Sequence, residues 1–149
     1  SSAAGRLFIE GVLKEFTDKF NFIVIYGQDN RLKSFLDRNK NLSVKYFPYY
    51  SDIWELMDIS SFIVTKPGGL TVFECLYTRK PMIFTHFIWG QEKVNMEAAI
   101  KLGAGAYVPY YKNLLKAVDT LKNSSAFSRL NFDDSNTMSV LKSIIQDNG

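Results

Sequence analysis

Little in this chain can hold a metal or a disulfide. It has one cysteine, Cys75, and one histidine, His86, among 149 residues. A single cysteine excludes an internal disulfide framework and a cysteine-based metal site, and it is compatible with a reducing compartment. A single histidine excludes a multi-histidine metal centre. No apolar run approaches the roughly 20 residues of a membrane span, and the first residues do not read as a signal peptide. The formal charge of +3 is too mild to demand nucleic acid, though it does not oppose an anionic lipid surface. Repeats and low-complexity segments are lacking too. What remains is 46% hydrophobic and 22% charged residues, the make-up of one soluble globular domain.

Apolar periodicity divides the chain into alternating helices and strands. From Leu7, the residues Phe8, Ile9, Val12, Leu13, Phe16 and Phe20 recur at three and four and predict an amphipathic helix. Phe22–Tyr26 reads as a strand, and Asn30 is placed to cap a helix that runs to Arg38. Val44–Phe47 is the next strand, broken by Pro48. Ser51 is a fitting N-cap, with Asp52 and Glu55 in the first turn, for a helix to Asp58. Strands over Ser61–Thr65, Pro81–Thr85 and Ala106–Val108 alternate with helices that open at Leu70 or Thr71, after Gly90, and near Leu114. Ser124 to Thr137 reads as loop and Met138 to Gln146 as a terminal helix.

Strands and helices at this spacing predict βαβ units, hence an α/β fold with a Rossmann-like parallel sheet covered on both faces. A Rossmann-type half begins with a strand, whereas Ser1 to Gly5 reads as a turn. The expectation is therefore one domain over residues 1–149 whose first strand is missing, a fragment of a two-domain enzyme. With the absent strand counted first, Ser61–Thr65 is the fourth. In the order 3-2-1-4-5-6, strands one and four flank the switch point at which ligands bind.

At that point stands Thr65-Lys66-Pro67-Gly68-Gly69-Leu70-Thr71-Val72-Phe73-Glu74, a strand, a tight loop and a helix N-terminus. Free N–H groups and a partial positive charge make such a terminus a phosphate site. Gly68 and Gly69 let a ligand approach the backbone, and the Thr71 hydroxyl can donate to a phosphate. Glu74, one turn on, can accept two hydrogen bonds from a ribose diol. By itself Pro-Gly-Gly is most often a turn, and Glu74 a solvated glutamate favoured by the helix dipole. Position and company favour the ligand reading. One strand later Gly90-Gln91-Glu92 opens another helix, with Asn95 at helical spacing placed to brace the pair. Gln91 and Glu92 can read sugar hydroxyls, or form no more than a polar first turn.

Other residues read more plainly. No carboxylate orients His86, so it is a loop residue near the site rather than a base. Cys75 reads as a small core residue. Tyr46, Tyr49, Tyr50, Tyr110 and Tyr111 can stack a base, but aromatics beside strands are usually core or rim. Phe87-Ile88-Trp89 is an apolar loop that either meets lipid or a partner domain, or tucks against its own strand.

With both motifs in hand, the chain resembles the donor-binding C-terminal half of a GT-B glycosyltransferase. The family in question contains processive diacylglycerol glucosyltransferases, monogalactosyldiacylglycerol synthases and the peptidoglycan N-acetylglucosaminyl transferase. Ile63–Glu74, Lys80–Ile83, Gly90–Asn95 and Leu102–Gly105 carry the resemblance. It implies two Rossmann-like domains with a UDP-sugar in the cleft between them. Gly68, Gly69, Leu70 and Thr71 would meet the diphosphate, Glu74 the ribose, and Gln91 and Glu92 the donor sugar. Phe47, Pro48 and Tyr49 would lie beside the uracil. The resemblance implies no metal and no cofactor, UDP-sugar being a substrate. It places the catalytic residues in an acceptor-binding N-terminal domain, in cis or on a partner chain.

Trp89 stands where members with this pattern commonly have proline before Gly-Gln-Glu. The expected function is donor binding in a hexosyltransferase of glycolipid biosynthesis. The expected place is the cytoplasm, or the periphery of a membrane's cytoplasmic face, and this stretch by itself binds without turnover. The alternatives are a UDP-sugar 2-epimerase, which shares the fold, and a non-catalytic nucleotide-binding subunit of a split transferase.

Overall fold

The structure, a computed structural model, describes residues 3–124. In chain order the elements are α1 (Ala3–Phe16), β1 (Phe22–Ile25), α2 (Asn30–Arg38), β2 (Val44–Phe47), α3 (Ile53–Ile59) and β3 (Ile63–Thr65). They continue with α4 (Gly69–Tyr77), β4 (Met82–Phe84), α5 (Gln91–Lys101), β5 (Gly105–Tyr107), a 3-10 turn (Tyr111–Asn113) and α6 (Leu114–Lys122). The expected terminal helix over Met138–Gln146, and the expected loop beyond Ser124, lie outside the described residues.

Every strand pair is parallel. Phe22–Ile25 aligns with Val44–Phe47, Ile63–Thr65 with Met82–Phe84, and Met82–Phe84 with Gly105–Tyr107. Parallel neighbours need crossovers, and α2, α4 and α5 supply them. β4 is apolar throughout for a plain reason. Met82, Ile83 and Phe84 are all fully buried, but they face alternate sides. Met82 and Phe84 pack with Met57, Val72, Cys75, Leu76, Met96, Ala99 and Ala104, from the side of α3, α4 and α5. Ile83 packs with Phe8, Val12, Phe16, Leu114, Val118 and Leu121 of α1 and α6. Each large side chain buried in this way contributes about 1.5–3 kcal/mol relative to exposure.

The described residues form two sheets, β1-β2 and β3-β4-β5. α1 holds the two parts together. Phe8, Val12 and Phe16 join the core of the three-stranded sheet, while Leu13 joins Val24, Leu32, Phe35 and Leu36 beside the two-stranded one. At 3.6 residues per turn one helix offers both stripes. The Phe20 ring adds edge-on contacts to Phe22 at 5.9 Å and to Phe62 at 5.2 Å.

Boundaries differ from expectation for local reasons. α1 begins at Ala3 rather than Leu7, because two alanines extend it readily and Gly5 is buried within it. Asp29, not Asn30, caps α2, its carboxylate accepting from the Arg31 and Leu32 N–H groups at 3.1 and 2.9 Å. Asp52 rather than Ser51 precedes α3, without a side-chain cap bond. β5 ends at Tyr107, one residue before expected.

Candidate functional site

α4 follows β3 through Lys66, Pro67 and Gly68. The Gly68 N–H donates to the Lys66 carbonyl at 2.9 Å, a three-residue turn around a fully buried Pro67. Val72 N–H then donates to the Gly68 carbonyl at 2.9 Å and closes the first turn of the helix. Gly68 has thus spent its N–H. Those of Gly69, Leu70 and Thr71 stand before the first possible intrahelical acceptor. Gly68 has φ −64° and ψ 141°, a conformation open to any residue. A Cβ on it would meet nothing within 4 Å, and one on Gly69 only the Asn95 amide nitrogen at 3.6 Å. Neither backbone strain nor packing asks for glycine here, so the pair leaves a bare stretch of backbone beside three free N–H groups. The arrangement suits an anion.

Glu74 stands on the second turn of α4, half-buried. Its carboxylate has no hydrogen-bond or ion-pair partner among the described residues, and burial pushes its pKa up. Cys75, next to it, is fully buried with its thiol pushed up to about 12 by burial; it is a core residue and a poor nucleophile.

The second helix start is built differently. Gly90, the N-cap of α5, has φ 100° and ψ −120°, a left-handed conformation that side chains disfavour. Glu92 is tied down at both oxygens. Lys66 Nζ lies 3.0 Å from Oε1, and the Ile88 N–H donates to Oε2 at 2.8 Å. Burial pushes the Glu92 pKa up, but the Ile88 N–H, the Lys66 ammonium and His86 outweigh it and hold the carboxyl below its usual range. Gln91 is exposed. His86 Nδ1 meets the Thr85 hydroxyl at 2.6 Å rather than a carboxylate. Burial lowers the His86 pKa further than the Glu92 charge raises it, so the ring is neutral at pH 7.

Two cross-links join these helix starts. One is the Lys66–Glu92 pair, between positions 26 apart. The other runs from the Asn95 amide, 3% exposed, to the Pro67 carbonyl at 3.1 Å, across 28 positions. Asn95 therefore ties α5 to the loop before α4. Gly68 as the N-cap and Gly69, Leu70, Thr71 and Glu74 within α4 thus lie on the helix next to α5, whose first turn holds Gln91 and Glu92. Phe47, Pro48 and Tyr49 leave the end of β2, in the other sheet. The Phe47 ring meets Tyr50 edge-on at 5.3 Å, the Tyr50 hydroxyl donates to Glu55 at 3.1 Å, and Tyr49 is exposed.

The chemistry of this rim is that of polar, anionic ligands: backbone donors, one lysine, an unpaired acid, an amide and a braced acid. No group of three or more His, Cys, Asp and Glu among the described residues could hold a metal ion. Residues 6–146 match the glycosyltransferase family 28 C-terminal domain. The chain belongs to this family.

As a family 28 domain it has relatives whose names agree. It is 30% identical over 115 residues to a processive diacylglycerol beta-glucosyltransferase of Bacillus subtilis, covering 75% of this chain and 30% of that protein. It is 30% identical over 114 residues to one of Bacillus cereus strain G9842, covering 70% and 29%. It is 28% identical over 100 residues to the uncharacterized glycosyltransferase YkoN of Bacillus subtilis, covering 62% and 27%. The chain thus spans less than a third of the length of these curated relatives. The family 28 fold agrees with the α/β architecture above, and the resemblance read from the two glycine motifs is borne out.

Sequence reasoning passed over Lys66. It is the only lysine or arginine in residues 65–71, the loop before α4 and the start of that helix. That isolation was the available signal. Its partner, Glu92, is adjacent only in the folded chain. The Phe87-Ile88-Trp89 loop divides between its two readings. Phe87 packs edge-on against Trp89 at 5.7 Å and Tyr107 at 5.5 Å, while Ile88 and Trp89 are exposed, with Lys93 Nζ 4.6 Å from the Trp89 ring centroid.

Proposed function

We propose that this domain binds the UDP-sugar donor of a hexosyltransferase that acts on a lipid acceptor. The α4 terminus carries the reading: two glycines that the fold does not require, three free N–H groups, and one turn further the unpaired, half-buried Glu74. The backbone donors suit a diphosphate, which the helix terminus can hold without a metal as UDP leaves. The Glu74 carboxylate suits a ribose diol, whose two hydroxyls both donate. Gln91 and Glu92, on the neighbouring helix, suit the hexose. Phe47, Pro48 and Tyr49 take the uracil.

Lipid as acceptor is supported by the names of the relatives, two of them diacylglycerol glucosyltransferases. No helix among the described residues is long and apolar enough to cross a membrane. In this reading the whole enzyme works from the cytoplasm or the cytoplasmic membrane surface, with an acceptor domain, in cis or as a partner chain, that completes the cleft and supplies the catalytic base.

The test is calorimetric titration of UDP into this chain and into Glu74→Ala. The wild type binds, and the variant binds about tenfold or more weakly, the loss of a charge-assisted pair of hydrogen bonds. Equal affinity would remove the ribose role of Glu74. No nucleotide binding by either protein would overturn the donor reading.

A further inference from the structure

A diphosphate brings about two negative charges, and the loop that leads into α4 offers it a single cation. That cation is engaged elsewhere: Lys66 Nζ sits 3.0 Å from Glu92 Oε1. The two ends of the pair are unequal. The Glu92 side chain is 15% exposed and is held independently by the Ile88 N–H at 2.8 Å, whereas that of Lys66 is 54% exposed. One end is anchored and the other is free to leave. An exposed ammonium on a flexible stem is bound weakly in such a pair, because solvent screens the attraction and holding the stem still lowers its entropy.

The stem starts two residues before Gly68, at the entrance to the loop that leads to the unbonded N–H groups of the α4 start. A diphosphate seated there presents more negative charge than one carboxylate, and so competes for the ammonium.

We infer that Lys66 is a diphosphate ligand held in reserve by Glu92, and that its transfer to the diphosphate releases Glu92 Oε1 for a hydroxyl of the donor sugar. The inference rests on the donor-binding reading above and adds to it an exchange that couples the two halves of the donor. Glu92 does not swing away when Lys66 leaves, since the Ile88 N–H keeps its other oxygen. Asn95 holds the Pro67 carbonyl, so the loops keep their register throughout. The nucleoside half of the donor, without phosphates, leaves the pair intact.

The test compares UDP with uridine as calorimetric ligands of this chain and of Lys66→Ala, Lys66→Arg, Glu92→Gln and the double variant Lys66→Ala/Glu92→Gln. Lys66→Ala is expected to weaken UDP about tenfold or more while uridine is unchanged, and Lys66→Arg to restore most of the loss. Glu92→Gln is expected to tighten UDP by a few-fold, because its competitor for Lys66 is neutral. In the double variant that gain disappears. Lys66→Ala binding UDP like the wild type, or losing UDP and uridine equally, overturns the ligand role. Glu92→Gln binding UDP no better than the wild type overturns the exchange and leaves the donor reading standing. A wild type that binds no UDP removes both.

Discussion

The starts of α4 and α5 look alike in sequence, glycine followed by polar residues after a buried strand, and they are opposite in construction. At α4 neither glycine has a positive φ, Gly68 borders open space, and the acid one turn on has no partner among the described residues. At α5 the glycine is required by its backbone, and the acid is anchored by a lysine and an N–H. One terminus is left bare. The other is a built corner that holds its neighbour in place. The difference shows that glycine in a loop has two physical meanings, which only the dihedral angle and the space around Cβ tell apart.

The largest expected effect separates these meanings. Gly90→Ala forces a side chain into φ 100° and should destabilise the fold by on the order of 1–3 kcal/mol, read as a lowered denaturation midpoint. Gly68→Ala should leave the midpoint within about 0.5 kcal/mol, because the methyl meets nothing, while weakening UDP binding. If Gly68→Ala instead unfolded the domain and Gly90→Ala did not, the contrast would be reversed.

Next is the brace between the two starts. Asn95→Leu leaves the Pro67 carbonyl without its donor in a buried place, and about 1–3 kcal/mol of stability should go with it. Chemical denaturation measures the loss, and a Leu variant as stable as the wild type would show that the loops need no such tie.

The two acids should titrate in opposite senses. Burial raises the Glu74 pKa, so the folded state holds that proton more tightly than the unfolded chain does, and the residue lowers stability as pH rises through its titration. The Glu92 pKa is depressed, so its contribution is present above the ordinary glutamate range and is lost as pH falls below it. Carboxyl carbon shifts followed by NMR on acidification should show Glu74 protonating first and Glu92 last. The reverse order would deny the comparison.

The smallest effect follows from the same sign. Glu74→Gln removes an unpaired charge and should raise the melting temperature slightly at neutral pH while it weakens UDP binding. A variant that loses both stability and affinity would mean that Glu74 has a structural partner.

The element order was legible because each helix and strand buries a face whose period shows along the chain. Phe8, Val12 and Phe16, or Met82 to Phe84, read correctly without any neighbour. Ends were less legible where two residues compete for one role, as Asp29 and Asn30 do at the start of α2. Capping is decided by which carboxylate reaches the N–H groups, and that is a matter of backbone angles. The glycine motifs were found from strand, loop and helix succession, and they brought the family with them. Two things were beyond reach. One is the division of the sheet, which depends on what runs between β1 and β3. The other is the pairing of Lys66 with Glu92, since nothing in a linear pattern tells a solvated lysine from one resting on an acid 26 positions away.

Sequence alone therefore determined the α/β class, the two glycine-led helix starts and the family to which they belong, because periodicity and glycine placement are local properties that propagate into the fold. Tertiary structure alone decided which acid is free and which is held. Charge pairing and burial depend on distances between segments, and those distances exist only once α4 and α5 lie side by side.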